Sequence, residues 1–162
     1  MNTKKKSIYI IANCTWYIFN FRLELLKKLN EEGYKVFLFA AKDKYYSKLS
    51  KYLYRFERLY LNRGSENPFL EFITFMRILY LYRKYKPYLV HHFTIKPSIY
   101  GAVVARITNT QNVINHFTGL GPSFFSKRLK IKLFNKILKP LYKFGFNNEN
   151  ALNIFHNSDD RD

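Results

Sequence analysis

Six short runs rich in β-branched and aromatic residues recur along the chain, and stretches with helical spacing lie between them. The runs are Ser7–Ala12, Val36–Ala41, Phe56–Leu61, Tyr88–Thr94, Asn112–Thr118 and Ala151–Phe155. Most are apolar on both alternating faces, the pattern of a strand covered from both sides. Phe21–Glu32 carries Leu25, Leu26 and Leu29 on one side and meets Gly33, a helix stop. Tyr45–Tyr54 is a second helix. A third opens at Asn67-Pro68, where Asn caps and Pro fits the first turn, and runs to about Tyr85, short of Pro87. Ser98–Thr108 and Lys127–Phe144 complete the set, with Pro140 expected to kink or end the last. Strands alternating with helices predict a parallel sheet with helices on both faces, an α/β doubly wound domain. A chain of 162 residues with 48% hydrophobic residues suits one such domain, residues 1–162.

The formal charge of +17 points to an anionic partner. A single cysteine, Cys14, excludes a disulfide framework and any multi-cysteine zinc site. Lys4–Lys6 followed by uncharged residues imitates a secretory signal, and Ile11-Ala12-Asn13-Cys14 a lipoprotein site. The apolar run Ile8–Ala12 is shorter than the roughly 7–15 residues such a signal needs. Phe69–Tyr85 is interrupted by Glu71, Arg77, Arg83 and Lys84, which rules it out as a bilayer span. The expectation is a cytoplasmic protein that lies on a membrane without crossing it.

Doubly wound sheets bind ligands at the carboxyl ends of their strands. After the first strand, Asn13–Arg22 combines aromatics with Asn20 and Arg22, a set suited to a sugar or a nucleotide phosphate. The alternative is that Trp16, Phe19 and Phe21 are core and Asn20 caps the helix. Arg22, expected in a first helical turn, is harder to explain structurally, because the helix dipole disfavours a cation there. After the fourth strand, His91 and His92 point to opposite faces and cannot share a metal. One of them is a candidate core histidine, and Lys96 is a candidate phosphate partner. After the fifth, Gly119 and Gly121 permit close backbone approach to a ligand, or serve a structural turn. This G-x-G is only a fragment of a dinucleotide fingerprint, so a nicotinamide cofactor is disfavoured. Phe124-Phe125 precede a helix carrying Lys127, Arg128, Lys130, Lys132, Lys136, Lys139 and Lys143 without an acid. Such a helix is either a solvated cover for the core or a contact for an anionic leaflet, the latter favoured over nucleic acid.

Asn20-Phe21-Arg22, Val90-His91-His92-Phe93-Thr94-Ile95-Lys96-Pro97, Thr118-Gly119-Leu120-Gly121 and the closing Phe155-His156-Asn157-Ser158-Asp159-Asp160-Arg161-Asp162 together resemble a family 4 glycosyltransferase. The likeness is to bacterial enzymes that extend undecaprenyl-diphosphate-linked sugars for capsule, O-antigen or protein glycosylation. It implies a Rossmann-like doubly wound parallel sheet forming one half of a GT-B fold, with the C-terminal donor-binding half absent. It also implies acceptor-binding roles for Asn20, Arg22, His91, Thr94, Lys96, Gly119 and Gly121, and catalytic-type roles for His116 and Thr118. The implied reaction is retaining transfer of a hexose or N-acetylhexosamine from a nucleotide diphosphate sugar, with no cofactor or essential metal. Implied partners are an undecaprenyl-diphosphate-linked sugar, the donor-binding half, and the anionic inner face of the cell membrane. Phe124, Phe125, Lys127, Arg128, Lys130, Lys132 and Lys136 would contact that membrane. Nucleic acid is not expected, and turnover by this polypeptide alone is in doubt. The alternative function is a non-catalytic basic module that binds a membrane surface or nucleic acid.

Overall fold

The computed structural model describes residues 6–61, 68–117, 140–141 and 143–156. In chain order its elements are β1 (Ser7–Cys14), α1 (Thr15–Phe21), α2 (Leu23–Glu31), β2 (Lys35–Ala41), α3 (Tyr46–Leu49) with a 3-10 turn (Ser50–Tyr52), and β3 (Arg55–Arg58). There follow α4 (Pro68–Tyr85), β4 (Leu89–Phe93), α5 (Ile95–Ile107), β5 (Val113–Phe117) and β6 (Ala151–Phe155). The strands form one sheet in the order β3-β2-β1-β4-β5-β6, and every pair is parallel. This is the Rossmann order, in which the chain leaves β1 in one direction and returns to its other side at β4.

Alternation along the central strands builds two cores. Tyr9, Ile11, Phe37, Phe39, Val90 and Val113 meet Ile78, Leu81 and Tyr82 of α4 and Val104 and Ala105 of α5 on one face. Ile8, Ile10, Ala12, Val36, Leu38 and Ala40 meet Tyr17, Ile18, Leu26 and Leu49 on the other. A line of side chains crosses the sheet laterally. Tyr82 Oη donates to His92 Nε2 (2.6 Å), and His92 Nδ1 donates to Asn115 Oδ1 (2.6 Å). Asn115 Nδ2 donates to Asn153 Oδ1 (2.8 Å), and Asn153 Nδ2 to the Phe146 carbonyl (3.3 Å). Because an amide oxygen only accepts, Asn115 fixes the histidine proton on Nδ1 and leaves Nε2 for the tyrosine. His92 is thus the satisfied core histidine.

Several boundaries differ from expectation. The first helix begins at Thr15, not Phe21, and breaks at Arg22, whose φ of −137° and ψ of 13° are not helical. The cause lies 28 residues away: Asp43 accepts hydrogen bonds from the Thr15 hydroxyl (2.6 Å) and the Trp16 amide (2.7 Å), and so caps α1 from the β2 side. Partial burial acts to raise the Asp43 carboxyl, but its hydrogen bonds from Thr15, Tyr45 and Trp16 hold it below the usual carboxylate range. Trp16 and Phe21 are exposed rather than core, while Phe19 packs half-buried against Tyr45. The helix expected over Tyr45–Tyr54 is a single α turn and a 3-10 turn. α5 starts at Ile95, three residues early, so Lys96 and Pro97 sit in its first turn. Residues 140–141 and 143–146 are helical, and the rest of the helix expected over Lys127–Phe144 lies outside the described residues. Among the described residues no helix is long and apolar enough to cross a membrane.

Candidate functional site

The sheet order puts the topological switch point between β1 and β4, and residues following those strands meet there. Arg22, at the C-terminus of α1, carries a guanidinium 4.8 Å from the Phe93 ring centroid and 5.8 Å from that of Tyr17. A cation belongs there: the orphan carbonyls of α1 give its end partial negative charge. Arg22 is also the N-cap of α2, whose dipole disfavours a cation, so the end of α1 offsets that cost and does not remove it. Trp16 packs edge-on against Phe21 (5.6 Å), Phe21 against Tyr17 (5.3 Å) and Tyr17 against Phe93 (6.1 Å), an aromatic train leading to the end of β4.

Strand register extends that train. His91 and Phe93 share a face of β4, and Phe93 pairs with His116 on β5. His91 lies 4.1 Å from Phe93 and 4.7 Å from His116, ring centre to ring centre. His116 Nδ1 is 3.2 Å from His156 Nε2, just beyond β6. His92 points through the opposite face, as the two-residue period requires.

All three strand histidines are held neutral. Burial lowers His91 to about 3, helped by charge repulsion from His116, His92 and Arg22. Burial lowers His92 to about 4 against the raising effect of Asn115. Burial, then Arg22 and His156, lower His116 to about 4. The stability consequence has a definite sign. Each imidazole binds a proton less readily folded than unfolded, so its contribution is present above its ordinary value of about 6.5 and is lost as pH falls towards 3–4. Taking the chain from pH 7 to pH 5 is expected to cost on the order of 2 kcal/mol through His92 alone. Urea titrations at the two pH values measure this; equal midpoints and slopes would contradict it.

Three buried polar atoms here lack a protein partner: Arg22 Nε, His91 Nε2 and Thr94 Oγ1. Buried groups without partners are rare, and such atoms gathered around Phe93 form a set of unmet donors and acceptors. Thr94 is also strained, with φ 68° and ψ 160° in a region that favours glycine. Its carbonyl accepts the Ser98 amide at 3.0 Å, which helps hold the turn into α5.

The remaining sequence candidates fall as follows. Asn20 is exposed on α1 and donates to the Trp16 carbonyl (2.8 Å) rather than capping the next helix. Lys96 lies beside Thr94 with its ammonium 2.5 Å from Glu71 Oε1, a carboxylate that Tyr100 also contacts (2.7 Å). Thr118, Gly119, Gly121, Phe124, Phe125, Lys127, Arg128, Lys130, Lys132 and Lys136 lie outside the described residues. His156 stood in the terminal motif without an assigned role; only the β5–β6 pairing brings it to His116. Among the described residues no group of three or more His, Cys, Asp or Glu side chains is arranged to hold a metal ion.

Comparison with known proteins agrees with this architecture. The profile of the family described as Glycosyl transferase 4-like matches residues 8–157. No curated protein matches the chain. Among solved structures, MurG from Acinetobacter baumannii superposes with a TM-score of 0.56 at 17% identity, over 85% of this chain and 40% of that one. A glycosyltransferase from Rickettsia africae ESF-5 superposes with a TM-score of 0.55 at 17% identity, over 94% of this chain and 43% of that one. The chain therefore spans about two-fifths of the length of either structure. It belongs to the glycosyl transferase 4-like family, with the Rossmann-like α/β fold of one half of a GT-B glycosyltransferase.

Proposed function

We propose that this chain is the acceptor-binding half of a glycosyltransferase, and that the crevice between β1 and β4 receives the diphosphate of a lipid-linked sugar. The observation that carries the reading is the cluster of unpartnered buried atoms on Arg22, His91 and Thr94. A diphosphate offers several anionic acceptors, and an arginine fork matches phosphate geometry. In this reading Arg22 holds the phosphates, the Thr94 hydroxyl and neutral His91 add hydrogen bonds, and Lys96, anchored by Glu71, supplies positive charge at the rim. Asn20 and the exposed pair Trp16 and Phe21 border the sugar. His116, 3.2 Å from His156, contacts the acceptor where transfer occurs; the acceptor roles of Thr118, Gly119 and Gly121 rest on the family resemblance alone.

The donor, a nucleotide diphosphate sugar, would be held by a second half, and the hexose or N-acetylhexosamine passed on in capsule, O-antigen or related glycan synthesis. The undecaprenyl chain of the acceptor would remain in the inner leaflet of the cell membrane. Phe124, Phe125, Lys127, Arg128, Lys130, Lys132 and Lys136 would add contacts to that anionic surface, worth roughly 1 kcal/mol per nearby basic residue.

The test is histidine-ring NMR during titration with a short-chain prenyl diphosphate N-acetylhexosamine. His91 and His116 are expected to shift saturably and to bind protons at higher pH, because an anion beside Arg22 offsets the charge that opposes them. His92, on the other face, is expected to stay put. Unmoved His91 and His116 signals at millimolar probe would end this reading.

A further inference from the structure

Three imidazoles line the carboxyl ends of neighbouring strands on one face of the sheet. His91 of β4 stands 4.7 Å from His116 of β5, ring centre to ring centre, and His116 stands 5.5 Å from His156, the first residue after β6. The backbone sets up the second contact. His116 pairs with Ile154, and His156 follows two residues on, so the two-residue period returns it to the same face. The His156 amide donates to the Phe117 carbonyl (3.2 Å), which carries the β5–β6 ladder one residue past the strand. His116 is held from its other side as well: its ring stacks on Phe93 (5.0 Å), and its carbonyl accepts from the Ser98 hydroxyl (3.1 Å). Its Nδ1 then lies within hydrogen-bond distance of His156 Nε2 (3.2 Å). A hydrogen bond between two neutral imidazoles holds one proton, so this bond decides which nitrogen of His116 carries the other.

We propose that His156 is a positioning residue: its Nε2–H donates to His116 Nδ1 and fixes the His116 proton on Nε2, so that a neutral imidazole presents a donor to an oxygen of the acceptor. This role rests on the acceptor reading. An imidazole free in water prefers its proton on Nε2, and in this arrangement both rings keep that tautomer. The reverse arrangement puts both protons on Nδ1. His156 is exposed, so water serves its Nδ1 in either case and the intrinsic preference decides. His92 shows the contrast, because Asn115 Oδ1 accepts only and holds that ring's proton on Nδ1. The chemistry suits the proposed ligand. A diphosphate-linked sugar presents oxygens that are mostly acceptors, which an N–H meets and a bare nitrogen lone pair repels. Burial, Arg22 and His156 keep His116 uncharged, so the pair supplies a directed donor without a further cation.

Nitrogen NMR of the histidine rings in the ligand-free chain, at mildly alkaline pH, reads the tautomer directly. Wild type is expected to hold His116 as a single Nε2–H tautomer. His156→Phe keeps a ring at the position and removes the donor. His116 should then populate both tautomers, with an unchanged melting curve because residue 156 is exposed. His156→Gln should restore the wild-type tautomer, since its amide nitrogen takes the place of Nε2 and can donate. Affinity for a short-chain prenyl diphosphate N-acetylhexosamine is expected to fall about 3- to 10-fold in the phenylalanine variant and to recover in the glutamine variant, the scale of one hydrogen bond. A wild-type His116 proton on Nδ1 would overturn the proposal. So would a phenylalanine variant that keeps either the tautomer or the affinity of wild type. The acceptor reading fails separately: wild type would then show the Nε2–H tautomer yet bind no probe, which would end the positioning role and leave the locked tautomer standing.

Discussion

Replacing Arg22 with methionine is expected to weaken binding of a prenyl diphosphate sugar by about 30- to 300-fold, the loss of roughly 2–3.5 kcal/mol from a charge-assisted hydrogen-bonding group. Methionine keeps an unbranched apolar chain against Phe93 and Tyr17, so the substitution removes charge and donors more than packing. Unfolding should change little, since the backbone role of Arg22, closing α1 through its amide to the Ile18 carbonyl (2.9 Å), survives any side chain. A lysine at the same place should recover only part of the affinity, because a point charge cannot reproduce the guanidinium fork. Burial is the main reason His91 and His116 stay neutral, but Arg22 opposes their protonation as well. Without the guanidinium both should bind protons at somewhat higher pH, which ring NMR against pH would record. Wild-type affinity in the methionine variant would mean that Arg22 serves packing and not ligand binding.

What could be read from sequence follows how local each cause is. The strands were legible because a short apolar run and a turn residue are local signals, and α4 because Pro68 and Pro87 bracket it. The split of His91 and His92 to opposite faces needed only the two-residue period. The start of α1 was not legible, because its cap is supplied by Asp43 across 28 residues. Lys96 looked like a lone phosphate partner for the same kind of reason: Glu71, 25 residues earlier, meets it only when α4 lies against α5. His156 joins His116 across 40 residues and one strand pairing. Trp16 and Phe21 misled differently, since aromatic content suggested core where the fold sets an exposed pair beside the crevice. Strand order, which alone defines the switch point, is a property of the closed sheet and of no segment in it.

Replacing Gly101 with alanine is expected to destabilise the chain by about 2–3 kcal/mol, the cost of forcing a side chain into a packed core. The sign is informative, because alanine inside a helix ordinarily gains about 0.5–1 kcal/mol over glycine. Here a Cβ would stand 2.4 Å from His92 Nε2, 2.5 Å from Cδ2 and 2.6 Å from Cε1. The imidazole cannot swing away cheaply, since Tyr82 and Asn115 hold its two nitrogens and it is fully buried. Either α5 lifts from β4 or the histidine abandons two buried hydrogen bonds, and both responses disturb the end of the strand that carries His91 and Thr94. Urea unfolding reads the loss directly. Pairing Gly101→Ala with His92→Ser should cost less than the sum of the two single changes, because the smaller side chain vacates the space the new methyl needs. An alanine variant as stable as wild type would show that α5 does not approach β4 so closely.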